Sequence, residues 1–184
     1  QLKVLLQQEK KRSCATPAAC IMGNSFSMLV LSGFLLSILC GLFKRPLLYL
    51  FGASDTTYPY AASYLNIYLI GTLFVMISLG MNNFINAQGY GITGMLTVSI
   101  GALLNLILDP LFIFVFQMGV KGAALATIIA QLVSAIWVLH FLIYKKEIIP
   151  LSRKQLKLQS PLIREISALG MSGFVMSITN GSVQ

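Results

Sequence analysis

Charge is scarce in this 184-residue chain. Thirteen Lys and Arg and five Asp and Glu make up 10% of it, against about 25% in soluble domains. So few charges cannot cover a soluble particle when 57% of the residues are hydrophobic. An ordinary soluble enzyme is excluded, as are a disordered and a collagen-like chain. Histidine occurs once, at His140 inside an apolar run. The three cysteines, Cys14, Cys20 and Cys40, form no CxxC and no Cys/His pair. Neither a zinc site nor a disulfide framework is supported, and small buried thiols are expected instead. No short apolar segment with a cleavage site opens the chain, so no signal peptide is visible. It starts at Gln1 and stops inside an apolar segment, and is expected to be an internal piece of a longer protein.

What the chain has is length of apolar sequence. Mean hydropathy is +0.82. A helix crossing a bilayer needs about 20 mostly apolar residues. Four runs qualify, near 21–43, 58–81, 92–116 and 122–144, and a fifth runs from residue 163 to the chain end. Lipid offers the backbone no hydrogen-bond partners, so a span is a helix or a barrel strand. Barrel strands are about 10 residues long and alternate in polarity; these runs are longer and do not alternate. The fold class is therefore an all-α membrane protein, a polytopic helix bundle.

The basic residues are placed unevenly. Lys3, Lys10, Lys11 and Arg12 precede the first span, and Lys145, Lys146, Arg153, Lys154, Lys157 and Arg164 lie between the fourth and fifth. Only Lys44, Arg45 and Lys121 fall in the loops of the other side. The positive-inside rule puts the ten in the cytoplasm, so the chain's start is cytoplasmic in a plasma (inner) membrane protein. Basic clusters between apolar runs are topogenic, and no nucleic-acid partner is expected. Lys44 to Gly52 reads as a short interfacial helix with Pro46 in its first turn and Gly52 at its C-terminal cap. Ser54 or Asp55 is expected to cap the second span.

Residues that are expensive in lipid carry the chemistry. Asp109 is the only acid well inside a span. A carboxylate at mid-bilayer costs at least about 2.5–3.5 kcal/mol, so it is protonated or faces a partner, and such acids commonly mark ion pathways. Asn105 lies one turn earlier on the same face. Pro110 has no N–H to offer the Leu106 carbonyl and is expected to kink the helix. An acid, an amide oxygen and a freed carbonyl together suit Na⁺, or a proton on Asp109. Thr127, Gln131 and Ser134 form one polar stripe in the fourth span, which either glues helices together or faces Asp109 across a cavity. Asn82, Asn83 and Asn86 suit capping and loop contacts; Asn83, Gln131 and Asn180 are also candidate cavity-lining residues. A single acid without a partner His, Cys or second acid argues against an intramembrane enzyme.

The segment 84–131, FINAQGYGITGMLTVSIGALLNLILDPLFIFVFQMGVKGAALATIIAQ, resembles helices five and six of the multidrug and toxic compound extrusion (MATE) transporters, prokaryotic type. The run NLILDPLFIF followed by MGVKGAALAT is the specific part. The flanking runs GNSFSMLVLSGFLLSILCGLFKRPLLYLFGAS, PYAASYLNIYLIGTLF and IREISALGMSGFVMSITNGSVQ resemble helices three, four and seven. Two positions depart from the family pattern: Asn86 stands where Arg is usual, and Gly173 where helix seven often has Pro.

The resemblance implies a two-lobed transporter of twelve helices, of which this chain holds about five. Residues 1–144 are the remainder of the first lobe, 145–160 the cytoplasmic interlobe linker, and 161–184 the truncated first helix of the second lobe. It implies cation binding by Asn105, Asp109 and Thr127, with Na⁺ or H⁺ as coupling ion and no cofactor. The implied function is antiport of drugs and other organic cations or amphiphiles by alternating access. The partners are those small molecules, membrane lipids, and the remaining helices of the full-length protein. The alternatives are a related flippase or exporter of lipid-linked saccharides, whose phosphate cargo calls for basic residues inside the spans, and a fragment inactive as an isolated chain.

Overall fold

The computed structural model of the chain describes residues 17–144 and, beyond them, Ile163, Arg164, Ile166, Ser167, Ala168, Gly170, Met171 and Thr179. The basic N-terminal stretch, the 145–160 linker, Gly173 and Asn180 lie outside the described residues. Every described element is helical. Helix α1 is Pro17–Leu42, α2 is Lys44–Leu50, α3 is Tyr58–Ala87, α4 is Gly91–Pro110 and α5 is Val120–Tyr144. Among the described residues, four helices are long and apolar enough to cross a membrane. They coincide with the four full runs read from hydropathy.

The chain divides into two compact units, residues 1–28 with 149–184, and residues 29–148. In the first, Ala19, Cys20, Met22 and Asn24 are buried, and Asn24 Nδ2 donates to the Cys20 carbonyl at 3.0 Å. Cys20 is disulfide-bonded, against the expectation of a thiol, and Cys40 is free.

The second unit is built on close approach of helices. Ser37 Oγ on α1 donates to the Leu69 carbonyl on α3 at 2.9 Å. Gly71 of α3 lies against Ile128 of α5, and Gly101 of α4 lies against Ser134 Oγ of α5. Small residues at such crossings let backbones approach where lipid provides no hydrophobic drive. Buried Ala124, Ala126, Ala130, Ala135 and Val138 make one face of α5, while Ile136 and Ile143 are exposed. On α4 the exposed side is nearly all apolar, with Leu106 70% exposed. The outside of this bundle is hydrocarbon, while its inside mixes small and polar residues with buried Met81, Ile85, Val138 and Leu142.

Helix α2 is held to the start of α3 by an aromatic cluster. Tyr49 stacks on Tyr58 with ring centroids 5.5 Å apart, and the Arg45 guanidinium sits 5.9 Å from the Tyr58 centroid. The Tyr49 hydroxyl donates to Asp55 Oδ1 at 2.6 Å. That hydrogen bond, with smaller contributions from desolvation and the Asp55 charge, raises the Tyr49 pKa above its ordinary value. Asp55 is thus engaged with Tyr49, and neither it nor Ser54 is the cap of α3. Thr57 occupies that position without a side-chain cap bond. Ser54 instead closes the preceding turn, its carbonyl accepting from Thr57 and Tyr58 N–H at 3.0 and 2.8 Å.

Two helix ends use glycine as read from the sequence or one like it. After α2, Gly52 has φ +90°, its N–H reaches the Tyr49 carbonyl at 3.1 Å, and Ala53 N–H reaches Leu48 at 2.9 Å. This is a Schellman closure, and Gly89 (φ +87°) repeats it after α3. Nothing lies within 4 Å of a Cβ built on Gly52, so its requirement is purely one of backbone conformation. Gly52→Ala is expected to cost about 1–2 kcal/mol, and Gly52→Asn less, read as thermal unfolding of the detergent-solubilised protein.

Helix α3 continues past residue 81 to Ala87. Asn82, Asn83 and Asn86 therefore lie within its last turns rather than capping its end. Pro110 does not break α4. With φ −62° it remains helical, and the chain passes into a π-helical turn, Leu111–Val115, closed by Phe116 N–H to the Leu111 carbonyl at 3.0 Å. A proline without an N–H loosens the α-ladder, and the wider turn takes up the change in winding.

Candidate functional site

The site is assembled by residues four apart on facing helices. Thr97, Gly101, Asn105 and Asp109 are each one turn further along one face of α4. Opposite, α5 presents Thr127, Gln131 and Ser134. Between α3, α4 and α5 lies a cavity of about 200 Å³, bounded on α3 by Ser78 and Asn82, on α4 by Thr97 and Asn105, and on α5 by Thr127, Gln131 and Ser134.

At one end of it, Asn105 bridges the two helices. Its Nδ2 donates to Asp109 Oδ1 at 3.4 Å and to Thr127 Oγ1 at 3.2 Å. Thr127 in turn donates to the Ala123 carbonyl at 3.0 Å. The structure thus brings Asn105, Asp109 and Thr127 together. Asp109 is half-buried, and the bond it receives is long and from a neutral donor. A carboxyl group in that setting keeps lone pairs for a further donor or a cation.

These residues could hold a small monovalent cation. Asp109 brings carboxyl oxygens and Thr127 a hydroxyl oxygen. Turning the Asn105 amide by 180° would put its oxygen where the nitrogen now lies between them. Oxygen ligands of mixed charge are what hard cations take. Among the described residues no three His, Cys, Asp or Glu side chains gather, so a transition-metal centre has no ligands here.

Gln131 lines the cavity one turn beyond Thr127, and its Oε1 is buried without a partner. Asn83 is exposed and does not line the cavity; its neighbour Asn82 does, 7% exposed and donating to the Gly94 carbonyl at 3.2 Å. One residue is about 100° around a helix, so the asparagine pair could not be resolved without knowing which face of α3 turns inward. Ser78 and Thr97 went unread in the sequence, and Asn82 was read there for capping and loop contacts rather than for the cavity. The signal was there: Ser78–Asn82 and Thr97–Gly101–Asn105–Asp109 are polar or small stripes of period four. Asn86 fills the space a Cβ on Gly94 would need.

A family model described as MatE matches residues 16–111. The Multidrug export protein MepA of Staphylococcus saprophyticus is 30% identical over 133 residues, covering 72% of this chain and 30% of that protein. MepA of Staphylococcus aureus is 29% identical over 130 residues, covering 71% and 29%. Among solved structures, a MATE protein in the bent conformation superposes with a TM-score of 0.74 at 21% identity, covering 88% of this chain and 42% of its own. The inward-facing form of a multidrug resistance MATE family transporter gives 0.65 at 22%, covering 84% and 41%. The chain spans about 30% of the length of the export proteins it matches.

Proposed function

The chain belongs to the MatE family, and from that premise we propose that the whole protein is a cation-coupled antiporter, driven by Na⁺ or H⁺, that exports drugs and other organic cations or amphiphiles by alternating access. Family members are transporters rather than enzymes, and the chain is part of a multi-pass membrane protein. Its membrane is the plasma membrane, with the chain's N-terminal end in the cytoplasm on the count of ten basic residues against three. Organic small molecules as cargo are supported by the names of its relatives, the multidrug export proteins.

One observation carries the coupling: Asn105 bonded to both Asp109 and Thr127 across α4 and α5. The intramembrane acid Asp109 is bonded to Asn105, which together with Thr127 lines the end of a polar cavity. An ion bound there can drive transport only if its affinity differs between the two conformations. The adjoining π turn is the element that can differ, since Asp109 and Pro110 feed directly into it. Loading Asp109 with Na⁺ or a proton removes a negative charge from the end of α4. That shifts the balance between a π and an α winding of 111–115, and with it the seat of α5.

The cavity favours this cargo over lipid-linked sugars. None of its lining residues is Lys or Arg, so it offers a phosphate no charge to pair with. The test is dye efflux from liposomes carrying the full-length gene product, under an imposed Na⁺ gradient or ΔpH. Efflux is expected to rise with one of the two gradients. Efflux indifferent to both would overturn the coupling.

A further inference from the structure

Helix α2 lies at the level where two membrane spans end. The candidate span of α1 stops at Leu42, and that of α3 starts at Tyr58. Helix α3 has 30 residues, about 45 Å at 1.5 Å per residue. That is the thickness of a bilayer with its headgroups, where the hydrocarbon alone is about 30 Å. The first turn of α3 therefore stands among headgroups, and the Tyr49–Tyr58 stack holds α2 at the same level.

Two cations stand here beside neutral partners. Lys44 Nζ donates to Asn66 Oδ1 at 3.3 Å, and the Arg45 guanidinium lies 5.9 Å from the Tyr58 centroid. A ring engages only the face of a guanidinium, so the N–H groups at its edge stay available. The one acid in the stretch from Phe43 to Thr57 is Asp55, and the Tyr49 hydroxyl holds it at 2.6 Å. An apolar track leads away from the cations. Leu31, Leu35, Leu39 and Leu42 follow one another at spacings of four, four and three, which puts them on one face of α1. Each is half or more exposed. From Leu31 to Leu42 is about 16 Å at 1.5 Å per residue, close to half of the roughly 30 Å hydrocarbon core. Leu50 and Phe51, each 81% exposed, add apolar surface at the far end of α2.

We propose that this corner binds an anionic phospholipid, with its phosphate between Lys44 and Arg45 and an acyl chain along the α1 track. The inference is independent of the proposed ion coupling. A free phosphate would meet the two cations and leave the track bare. A zwitterionic lipid brings its own ammonium group beside two fixed positive charges. A lipid with an uncharged headgroup on its phosphate, such as phosphatidylglycerol, brings only the negative charge. One basic side chain at an anionic lipid surface is worth about fivefold in affinity, and two about thirtyfold.

The experiment uses the full-length gene product, purified in detergent and freed of lipid. It is titrated with phosphatidylglycerol or with phosphatidylcholine of the same chains, and bound lipid is counted by native mass spectrometry. Wild type is expected to take its first phosphatidylglycerol at least about tenfold more tightly than phosphatidylcholine, and to lose most of that preference at high salt. Lys44→Gln combined with Arg45→Gln is expected to bind the two lipids alike. Leu39→Ser combined with Leu42→Ser is expected to weaken both lipids while keeping the preference between them. Inorganic phosphate is expected not to displace the lipid. A structure of the wild-type protein in phosphatidylglycerol nanodiscs is expected to show a phosphate bonded to both cations, and this reads out even if a variant fails to fold. Equal affinity for the two lipids in wild type, a preference that survives loss of both charges, or displacement by inorganic phosphate overturns the proposal. So does another helix of the full-length protein packed over the Leu35–Leu42 face.

Discussion

Asp109→Asn in the full-length gene product is expected to abolish ion-coupled efflux while leaving the protein folded. Asparagine keeps the shape of the side chain, and its oxygen can still accept from Asn105 Nδ2, so the bridge to Thr127 survives. What goes is the charge. A free proton or Na⁺ has no other anion to meet on α3, α4 or α5, since Asp109 is the only acid in those helices. Coupling free energies between two ligands of one protein are typically about 1–3 kcal/mol, a factor of about 5–150 in affinity. Removing the charge erases that whole factor, because the variant no longer distinguishes the loaded from the empty state. Efflux measured against an imposed gradient should then fall to the level seen with no gradient. Downhill leak of dye should persist, since a carboxamide in lipid is cheaper than a carboxylate and the fold loses nothing. Gradient-driven efflux at the wild-type rate would remove Asp109 from the mechanism.

The four full spans were legible because lipid imposes a single demand, apolar length, which residues can be counted against. The Asn105–Asp109 pair was legible for a related reason: four residues apart on a helix is a contact, whatever else the fold does. Thr127 is on a different helix. Its place opposite Asn105 depends on the crossing of α4 and α5 at Gly101 and Ser134, and it entered the sequence reading through the family resemblance and its own polar stripe. Other details depended on tertiary context. Whether Asn82 or Asn83 faces the cavity is decided by the rotation of α3, which Gly71 sets against Ile128. Asp55 looked like a helix cap until Tyr49, six residues earlier, was seen to hold it. Pro110 read as a kink from its missing N–H; the π turn that follows at 111–115, with Gly122 of α5 pressed against it, depended on tertiary context.

That pressing contact makes Gly122 the position where a single methyl group should do most harm. A Cβ built on Gly122 lies 2.7 Å from the Phe112 carbonyl oxygen, 2.8 Å from its carbon and 3.0 Å from its Cβ. The first two are backbone atoms of the π turn, and backbone cannot swing aside as a side chain can. The Phe112 oxygen is also engaged, accepting from Met118 N–H at 3.1 Å. Moving it would open the connection between α4 and α5, where Gln117 already stands at φ +54°. Overpacking of this kind typically costs about 1–3 kcal/mol. Gly122→Ala should reach the upper part of that range, because the strain has no flexible atom to enter. The consequence would be felt at the cation site. The first turns of α5 carry Ala123, whose carbonyl receives the Thr127 proton, and Thr127 itself. Shifting them away from the π turn lengthens the Asn105–Thr127 bond at 3.2 Å beyond hydrogen-bonding range. Gly122→Ala is therefore expected to lower thermal stability in detergent and to weaken ion-gradient dependence together. By contrast Gly119→Ala, which has φ +55° but nothing within 4 Å of its Cβ, should lower stability alone. If Gly122→Ala were as stable as wild type and as well coupled, the π turn would not be braced by α5, and the proposed link from Asp109 through that turn to the seat of α5 would have to be abandoned.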